Sequence, residues 1–500
     1  MAGARGVPQA TQSVTCGTLM HDLIEPKHVN HLIPLGARRG DFLEFYNTGE
    51  NFHSTYEVGQ KIGEGGFGKV TVATKKGDST KFAIKEIRKR TEDRKRGARG
   101  MTMQMIMSEA CALHRLRHPN IIRLHQMYQD HVNVYLVMDF CGGGDLYDAL
   151  HEATTFSEKQ AASLMQQVLL GVNYMHHQYV CHRDLKPENF LLGSKPNDLQ
   201  KCDLRIIDFG CAWSFASPSE TCSTRMGTEK YMAPEVLKGC YTYVCDNFSC
   251  GVVAFVLLCG HYPFANASAT RTAEVTFRHA TWRKVSSDAH ELIRGLLEKS
   301  PESRFKAEAA LQHQWIQNLA PHASDAPLPS DVLDNLHSFV SEGLLKKAAL
   351  NAIAHTYKEE DLQSLKETFV RLDENQDGTI SIAELKAGLS ESGSDEQQKK
   401  LLDLMKGMDL DGDGRIDYRE FIASSIEKKK YQTESVLWSA FSSFDIDGNG
   451  TVSRDELRSV LADPRLQGLL QGKSVDQIFE ECDANKDDKI CFEEFYAALQ

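Results

Sequence analysis

Residues 181–192, CHRDLKPENFLL, set an aspartate, a lysine and an asparagine (Asp184, Lys186, Asn189) within six positions, bracketed by apolar residues. A helix would point these groups to different sides, and Pro187 would break it. The stretch therefore predicts a loop closed by a short strand, Phe190 to Leu192. It offers an acceptor for a hydroxyl proton, a cation for a phosphate and an oxygen ligand for a metal, the minimum set for phosphoryl transfer. A charge-rich polar turn has the same composition, so the remaining partners must be sought elsewhere in the chain.

Upstream, β-type residues from Tyr56 flank a glycine cluster, Ile62-Gly63-Glu64-Gly65-Gly66-Phe67-Gly68-Lys69-Val70. Glycines let backbone approach phosphates without Cβ clashes. The next element reads as a strand carrying Lys85, where a dinucleotide-binding fold would open a helix. A helical pattern, MIMSEACALHRL, carries Glu109 at a suitable place to orient Lys85; its neighbours Met101, Met103, Met105 and Met107 read as packing residues. The apolar run Val134 to Phe140 leads into CGGGD and predicts a hinge between two lobes. Its backbone from Asp139 to Cys141 is expected to face an adenine, with Met138 at the back of the pocket and Asp145 near the ribose.

Downstream come Asp208-Phe209-Gly210, Gly227-Thr228, Tyr231, Ala233-Pro234-Glu235, Asp246 before a buried-helix pattern, and Arg304. A carboxylate at a strand end suits Mg²⁺, which prefers one or two carboxylates plus phosphates. In this order the motifs resemble the eukaryotic protein kinase family from Tyr56 to Trp315. The resemblance implies that Lys85 holds the α- and β-phosphates and pairs with Glu109. It also makes Asp184 the acceptor of the substrate proton, Asn189 and Asp208 the Mg²⁺ ligands, and Lys186 the cation facing the γ-phosphate. Glu235 and Arg304 resemble the family's buried ion pair. Lys186 with Thr228 resembles serine/threonine rather than tyrosine kinases. Phe248 departs from the pattern, standing where tryptophan is usual. All four residues whose loss marks a pseudokinase are present. In the activation loop, Arg183 is expected to face a phosphate on Ser217, Ser219, Thr221, Ser223 or Thr224, or the fixed charge of Glu220. Asp145 and Glu188 lie where basophilic kinases hold a substrate arginine, so protein substrates with basic residues near the phosphosite are expected.

A second system begins near Leu362. Four twelve-residue stretches opening at Asp373, Asp409, Asp445 and Asp483 share D-x-[DN]-x-[DN], an apolar eighth position and a twelfth-position glutamate. They recur at helix–loop–helix spacing and read as EF-hands, whose Ca²⁺ requires six to eight oxygens. Site one uses Asp373, Asn375, Asp377, Thr379, Ser381 and Glu384. Site two uses Asp409, Asp411, Asp413, Arg415, Asp417 and Glu420. Site three uses Asp445, Asp447, Asn449, Thr451, Ser453 and Glu456. Site four uses Asp483, Asn485, Asp487, Lys489 and Glu494, with Cys491 at the ninth position. The seventh residue of each contributes its backbone carbonyl. Site four has Asp488 where glycine is usual, which predicts positive φ at a cost of roughly 1–2 kcal/mol and the weakest of up to four Ca²⁺ sites. Ile380, Ile416, Val452 and Ile490 are expected to pair the loops, one with two and three with four. The whole resembles calmodulin.

Between the two systems, Leu336, Val340, Leu344, Ala348 and Ala352 form a helical stripe beside Lys346 and Lys347. A basic amphipathic helix is what calmodulin-like lobes grip. Kinase, junction helix and calmodulin-like domain in this order resemble the calcium-dependent protein kinase family of plants and protists. The implied architecture is a bilobal α+β protein kinase fold followed by an all-α calmodulin-like domain of four EF-hands. The implied segments are a variable extension (1–55), the kinase domain (56–315), an autoinhibitory or junction segment (316–361) and the calmodulin-like domain (362–500). The EF-hands within it span 362–397, 398–432, 433–468 and 472–500. The implied activity is calcium-switched transfer of the ATP γ-phosphate to protein Ser/Thr hydroxyls. Two rivals are a calcium-responsive scaffold and a constitutive kinase whose EF-hands only buffer.

Composition agrees with a soluble multidomain chain: 500 residues, 41% hydrophobic and 25% charged. The net charge of −12 argues against nucleic acid as a partner. The 13 cysteines form no CxxC pair and follow no secretory signal, so an intracellular, cytoplasmic location is expected. No apolar run is long enough to span a bilayer, Ala2 rules out N-myristoylation, and Cys16 is the one candidate for acylation in the N-terminal extension. A monomer is expected.

Overall fold

A computed structural model describes residues 46–47, 52–65, 68–77, 80–89, 101–153, 155–193, 199, 202–319, 335–336, 338–339, 343–354, 357, 362–388, 395–426, 434–446, 449–462, 466 and 474–499. Gly66, Phe67, Asp447, Cys16 and Val340, all named above, lie outside them, and Glu64 and Gly65 are described in backbone only.

The first lobe is a six-stranded sheet. Its strands are β1 (Tyr46–Asn47), β2 (Tyr56–Gly65), β3 (Gly68–Lys75), β4 (Lys81–Arg88), β5 (Leu124–Gln129) and β6 (Asn133–Asp139). They lie in the order β1-β5-β6-β4-β3-β2. β1 runs parallel to β5 and the other pairs are antiparallel. The register sets Lys85 opposite Val70 on one side and Leu136 on the other. At the tight β2–β3 turn a Cβ on Gly68 would lie 2.1 Å from the Glu86 carbonyl oxygen, so no side chain fits there. Helix α1 (Met103–Arg115) starts at Thr102, whose hydroxyl accepts from Met105 N. Met101 and Met107 are buried as expected, whereas Met105 faces solvent.

Order begins earlier than the sequence suggested. β1 already pairs with β5, and the single turn Phe52–Thr55 buries Phe52 against Tyr135, with ring centroids 4.4 Å apart. One aromatic anchor on a four-residue turn is too short to show periodicity, so this stretch reads as featureless in sequence.

The second lobe is helical. α2 (Glu158–His177) is capped by reciprocal Ser157–Gln160 hydrogen bonds and carries a long buried face. α3 (Cys245–Cys259) is buried along its whole length, as its continuous apolar run from Val252 to Leu258 requires. Phe248 on α3 is fully buried and stacks on Phe264, while Arg304 lies 5.2 Å from its ring; this is how the lobe accommodates the usual tryptophan's replacement. The opening loop joins strand β7 (Val180–Cys181) to strand β8 (Phe190–Leu192), which pairs with β9 (Leu204–Ile206). Pro187–Asn189 is a single 3-10 turn within it.

A separate hydrophobic core unites the C-terminal helices. The junction helix α4 (Leu344–Ile353) packs there against α5 (Tyr418–Ser425) and α6 (Glu434–Phe444). Its buried face is Leu345, Ala348, Ala349, Leu350 and Ile353, with Leu336 also buried, while Leu344 and Ala352 are only partly covered. The face is thus turned from the stripe read in sequence. Lys346 and Lys347 are buried too: Lys347 donates to the Gly407 carbonyl at 3.2 Å and lies over the Phe339 ring. Long lysine stems cover apolar surface while the head finds an acceptor, which erases the boundary between stripe and flank. No described helix is long and apolar enough to cross a membrane.

Candidate active site and calcium loops

The cleft is a set of paired charges. Lys85 Nζ lies 2.6 Å from Glu109 Oε1 and 2.8 Å from Asp208 Oδ1. Burial alone would lower the lysine's affinity for its proton, but Glu109 and Asp208 outweigh it and hold the ammonium above the usual lysine range. Burial likewise opposes ionisation of Asp208, yet Lys85 keeps its carboxyl below the usual range. Asp208 has φ 63° and ψ 69°, a left-handed conformation that a non-glycine residue holds only where its surroundings enforce it.

Asp184 is held from several directions. Thr228 donates from its amide (2.8 Å) and its hydroxyl (2.7 Å) to Oδ1, and Lys186 Nζ reaches Oδ2 at 2.8 Å. Lys186 also donates to Thr228 Oγ1 at 2.9 Å. Gly227 makes this approach possible: its φ is 104°, and a Cβ there would fall 2.1 Å from the Arg183 carbonyl oxygen. Asn189 donates Nδ2 to the Asp184 carbonyl at 2.7 Å, which leaves its carbamoyl oxygen free to serve, with Asp208, as an oxygen donor of the type Mg²⁺ takes. Beneath the loop the fully buried Asp246 accepts from the amides of His182 (2.8 Å) and Arg183 (2.9 Å). Sequence placed Asp246 only before a helix; here it anchors the loop backbone.

Other expected residues are placed less directly. Gly63 pairs with Val70 across the turn, Ile62 is exposed, and Lys69 pairs with Glu86 at 2.9 Å instead of facing inward. Met138 and Cys141 are buried at the hinge. The Asp139 side chain turns to His125 (2.6 Å) and Arg205 (3.1 Å), so only its backbone is left for a nucleotide. Asp145 Oδ1 accepts from the Asp148 amide at 2.8 Å, and Glu188 has a buried Oε2 with no partner among the described residues. Glu235 and Arg304 form the expected buried pair, with Nη2–Oε2 at 2.9 Å.

Arg183 departs from expectation. It donates to the Cys211 carbonyl, to the Tyr241 hydroxyl (3.2 Å) and to Cys222 Sγ (3.3 Å), and lies over the Trp213 ring. None of the five candidate hydroxyls is among these partners, and Glu220 turns back to its own loop, accepting from Ala216 N. Burial works against ionisation of Cys222, but the Tyr241 hydroxyl, the Thr224 amide and Arg183 together hold its thiol below the usual range. Nothing in the sequence marks Cys222, because its role depends on Tyr241 pairing with it across the loop.

The calcium loops share one internal scaffold. The first-position aspartate accepts from the sixth-position amide in each: Gly378 (2.8 Å), Gly414 (2.9 Å), Gly450 (2.8 Å) and Asp488 (3.1 Å). The twelfth-position glutamate accepts from the ninth-position amide: Ser381, Asp417 and Ser453 at 2.8 Å, Cys491 at 2.9 Å. Sixth positions all have positive φ, including Asp488 at 61°. Asp488 is further held by Arg454 at 2.8 Å. Ile380 pairs with Ile416 in a short ladder of β10 (Thr379–Ile380) and β11 (Ile416–Asp417), and Val452 exchanges both backbone hydrogen bonds with Ile490. Within loops one and two the carboxylates oppose one another. Burial, with Asp377 and Glu384 adding, pushes Asp373 up to about 8. Burial and Asp413 push Asp411 up to about 7. Ligand oxygens of Asp409, Asp411 and Asp413 lie within 4.8 Å of one another. Such crowding of oxygen donors fits a divalent cation.

Loop one also touches the kinase. Asn173 donates Nδ2 to the Gln376 carbonyl at 2.7 Å, Lys366 pairs with Asp203 at 2.7 Å, and the space beside Gly378 is filled by the Tyr174 ring. These contacts depend on folds far apart in the chain and have no sequence signal.

Comparison with known proteins agrees with this geometry. The protein kinase domain family matches residues 56–316, and the EF-hand domain pair family matches 362–425 and 434–500. A rice (Oryza sativa subsp. japonica) protein named calcium-dependent protein kinase 12 is 40% identical over 89% of this chain and 83% of its own length. Rice calcium-dependent protein kinase 2 is 41% identical over 90% and 86%. Calcium-dependent protein kinase 3 of Plasmodium berghei is 34% identical over 92% and 82%. With a protein kinase domain and EF-hand pairs in one chain, and such identity to these relatives along most of its length, this chain belongs to the calcium-dependent protein kinase family.

Proposed function

We propose that this calcium-activated serine/threonine kinase works through Lys85, Asp184, Lys186, Asn189 and Asp208, held ready for ATP and a peptide hydroxyl. The Lys85–Glu109–Asp208 contact carries the reading, because it keeps a cation and a metal-ligand carboxylate together at one point. In the reaction the substrate hydroxyl oxygen bonds to the γ-phosphorus as the β–γ bridging bond breaks, and its proton passes to Asp184. Lys85 holds the α- and β-phosphates and Lys186 offsets charge on the transferring group. Asn189 and Asp208 would hold Mg²⁺, which would supply positive charge against the phosphates. The glycine loop and the hinge backbone at Asp139 and Cys141 enclose the nucleotide, with Asp145 at the ribose.

The unpartnered Glu188 oxygen supports a basic substrate, since a buried carboxylate without a cation is costly. A peptide library lacking any preference for arginine before the phosphosite would remove this part. The division into extension, kinase, junction and EF-hand segments keeps the limits given above. Up to four loops bind Ca²⁺, the fourth most weakly.

For the switch, the junction helix lies within the EF-hand core, loop one rests on Asn173 and Tyr174 of the kinase, and Lys366 on the helix before it pairs with Asp203. This supports a brace: the calcium-loaded lobes grip α4 and support the kinase from outside its cleft. Truncation after Ala320 tests it. A brace predicts an inactive fragment, whereas a constitutively active fragment would show that the junction inhibits.

A further inference from the structure

Arg415 occupies the seventh position of loop two, where calcium asks only for a backbone carbonyl. Its side chain crosses to loop one. One Nη1 donates to Asp377 Oδ2 and, at 2.9 Å, to Thr379 Oγ1. Asp377 is the fifth-position ligand of site one, and its other oxygen already accepts from the Thr379 amide and hydroxyl. The Asp377 side chain is nearly fully covered, whereas Arg415 is half-exposed. A buried ligand carboxylate is therefore paired with a cation supplied by the neighbouring site. The second lobe differs: its cross-loop arginine, Arg454, pairs with Asp488, which is not a ligand.

We propose that Arg415 is a built-in counter-cation of site one that competes with Ca²⁺ for Asp377 and raises the calcium concentration at which that site fills. Two effects act in the same direction. The guanidinium stabilises the calcium-free loop by offsetting the repulsion among Asp373, Asp377 and Glu384, and it repels an arriving divalent ion. Because Arg415 also presents its carbonyl to site two, one residue belongs to both sites. The inference rests on the reading of site one as a calcium site.

The test is calcium calorimetry on the full chain carrying Glu420→Gln, Glu456→Gln and Glu494→Gln, which leaves site one, with and without Arg415→Gln. Site one should tighten roughly fivefold to tenfold in 50 mM KCl. The gain should shrink below about twofold in 1 M KCl, where screening acts within about 3 Å. Arg415→Lys, which keeps the charge, should stay within about threefold of the native value. An unchanged or weaker site in Arg415→Gln overturns the proposal. If no binding heat is present that Glu384→Gln then removes, site one itself is misassigned and the proposal falls with it. Should the triple variant fold poorly, the Ile380 methyl resonance in the otherwise native chain gives a site-resolved calcium midpoint for the same comparison.

Discussion

The catalytic cleft and the calcium loops are both dense in carboxylates, but they are built in opposite electrostatic ways. In the cleft the central charges pair with one another: Lys85 with Glu109 and Asp208, Lys186 with Asp184. In loops one and two the carboxylates crowd one another, and burial together with that crowding pushes Asp373 up to about 8 and Asp411 up to about 7. A self-paired site is preorganised and needs only its substrate. A self-repelling one is completed only by a cation from outside, and that dependence is what makes it a sensor. Arg415 departs from this pattern at site one, where it pairs with the ligand carboxylate of Asp377.

The comparison can be broken at either end. The largest effect is expected in the cleft, where Asp184→Asn should lower kcat by about 10²–10⁴-fold in calcium and in chelator alike, measured with peptide substrate. In the loops, Glu384→Gln or Glu420→Gln should raise the calcium midpoint of activation by about a hundredfold while leaving the calcium-saturated rate near native. A collapse of that saturated rate would mean that the loops contribute to chemistry itself.

His118 probes the seam between the regions. It stacks on Tyr174 beside loop one, and burial, with Lys366 adding, lowers its pKa to about 3. It is therefore neutral in the fold. Below the ordinary value of 6.5 the unfolded chain takes up a proton that the fold refuses, so stability is full above that pH and is lost as pH falls toward 3. The loss should reach about 2 kcal/mol at pH 5. His118→Asn, which retains an acceptor for the Asn120 amide, should flatten this dependence in thermal melts.

The smallest effect comes from Asn247 on α3, fully buried, with neither amide atom partnered among the described residues. Asn247→Leu should stabilise the chain by about 1 kcal/mol, read as a raised melting midpoint. A lowered midpoint would place a hidden partner at that amide.

The fold and the cleft were legible because their motifs impose local chemistry. Glycines at 63, 65 and 68, a strand lysine and the HRDLKPEN loop each state their backbone form. EF-hand loops repeat ligand spacing at fixed positions, so even the positive φ of Asp488 could be read. What stayed hidden depends on tertiary meetings. Phe52 looks like tail until Tyr135 stacks on it. Cys222 gains meaning only through Arg183 and Tyr241, and Asp246 only through the amides it holds. The buried face of the junction helix is rotated from the sequence stripe because two lysines are buried with it. Arg415 sits at a position whose side chain the calcium pattern leaves unspecified.

The central claim, that the self-paired cleft works only when the self-repelling loops receive calcium, is tested most directly by one assay. The full chain is given ATP, Mg²⁺ and a peptide substrate, with Ca²⁺ in one tube and a calcium chelator in the other. The account predicts phosphate transfer to serine or threonine with calcium and little without it. Equal transfer in both tubes would contradict it, leaving the loops as calcium buffers, and no transfer in either would make the kinase lobe a scaffold.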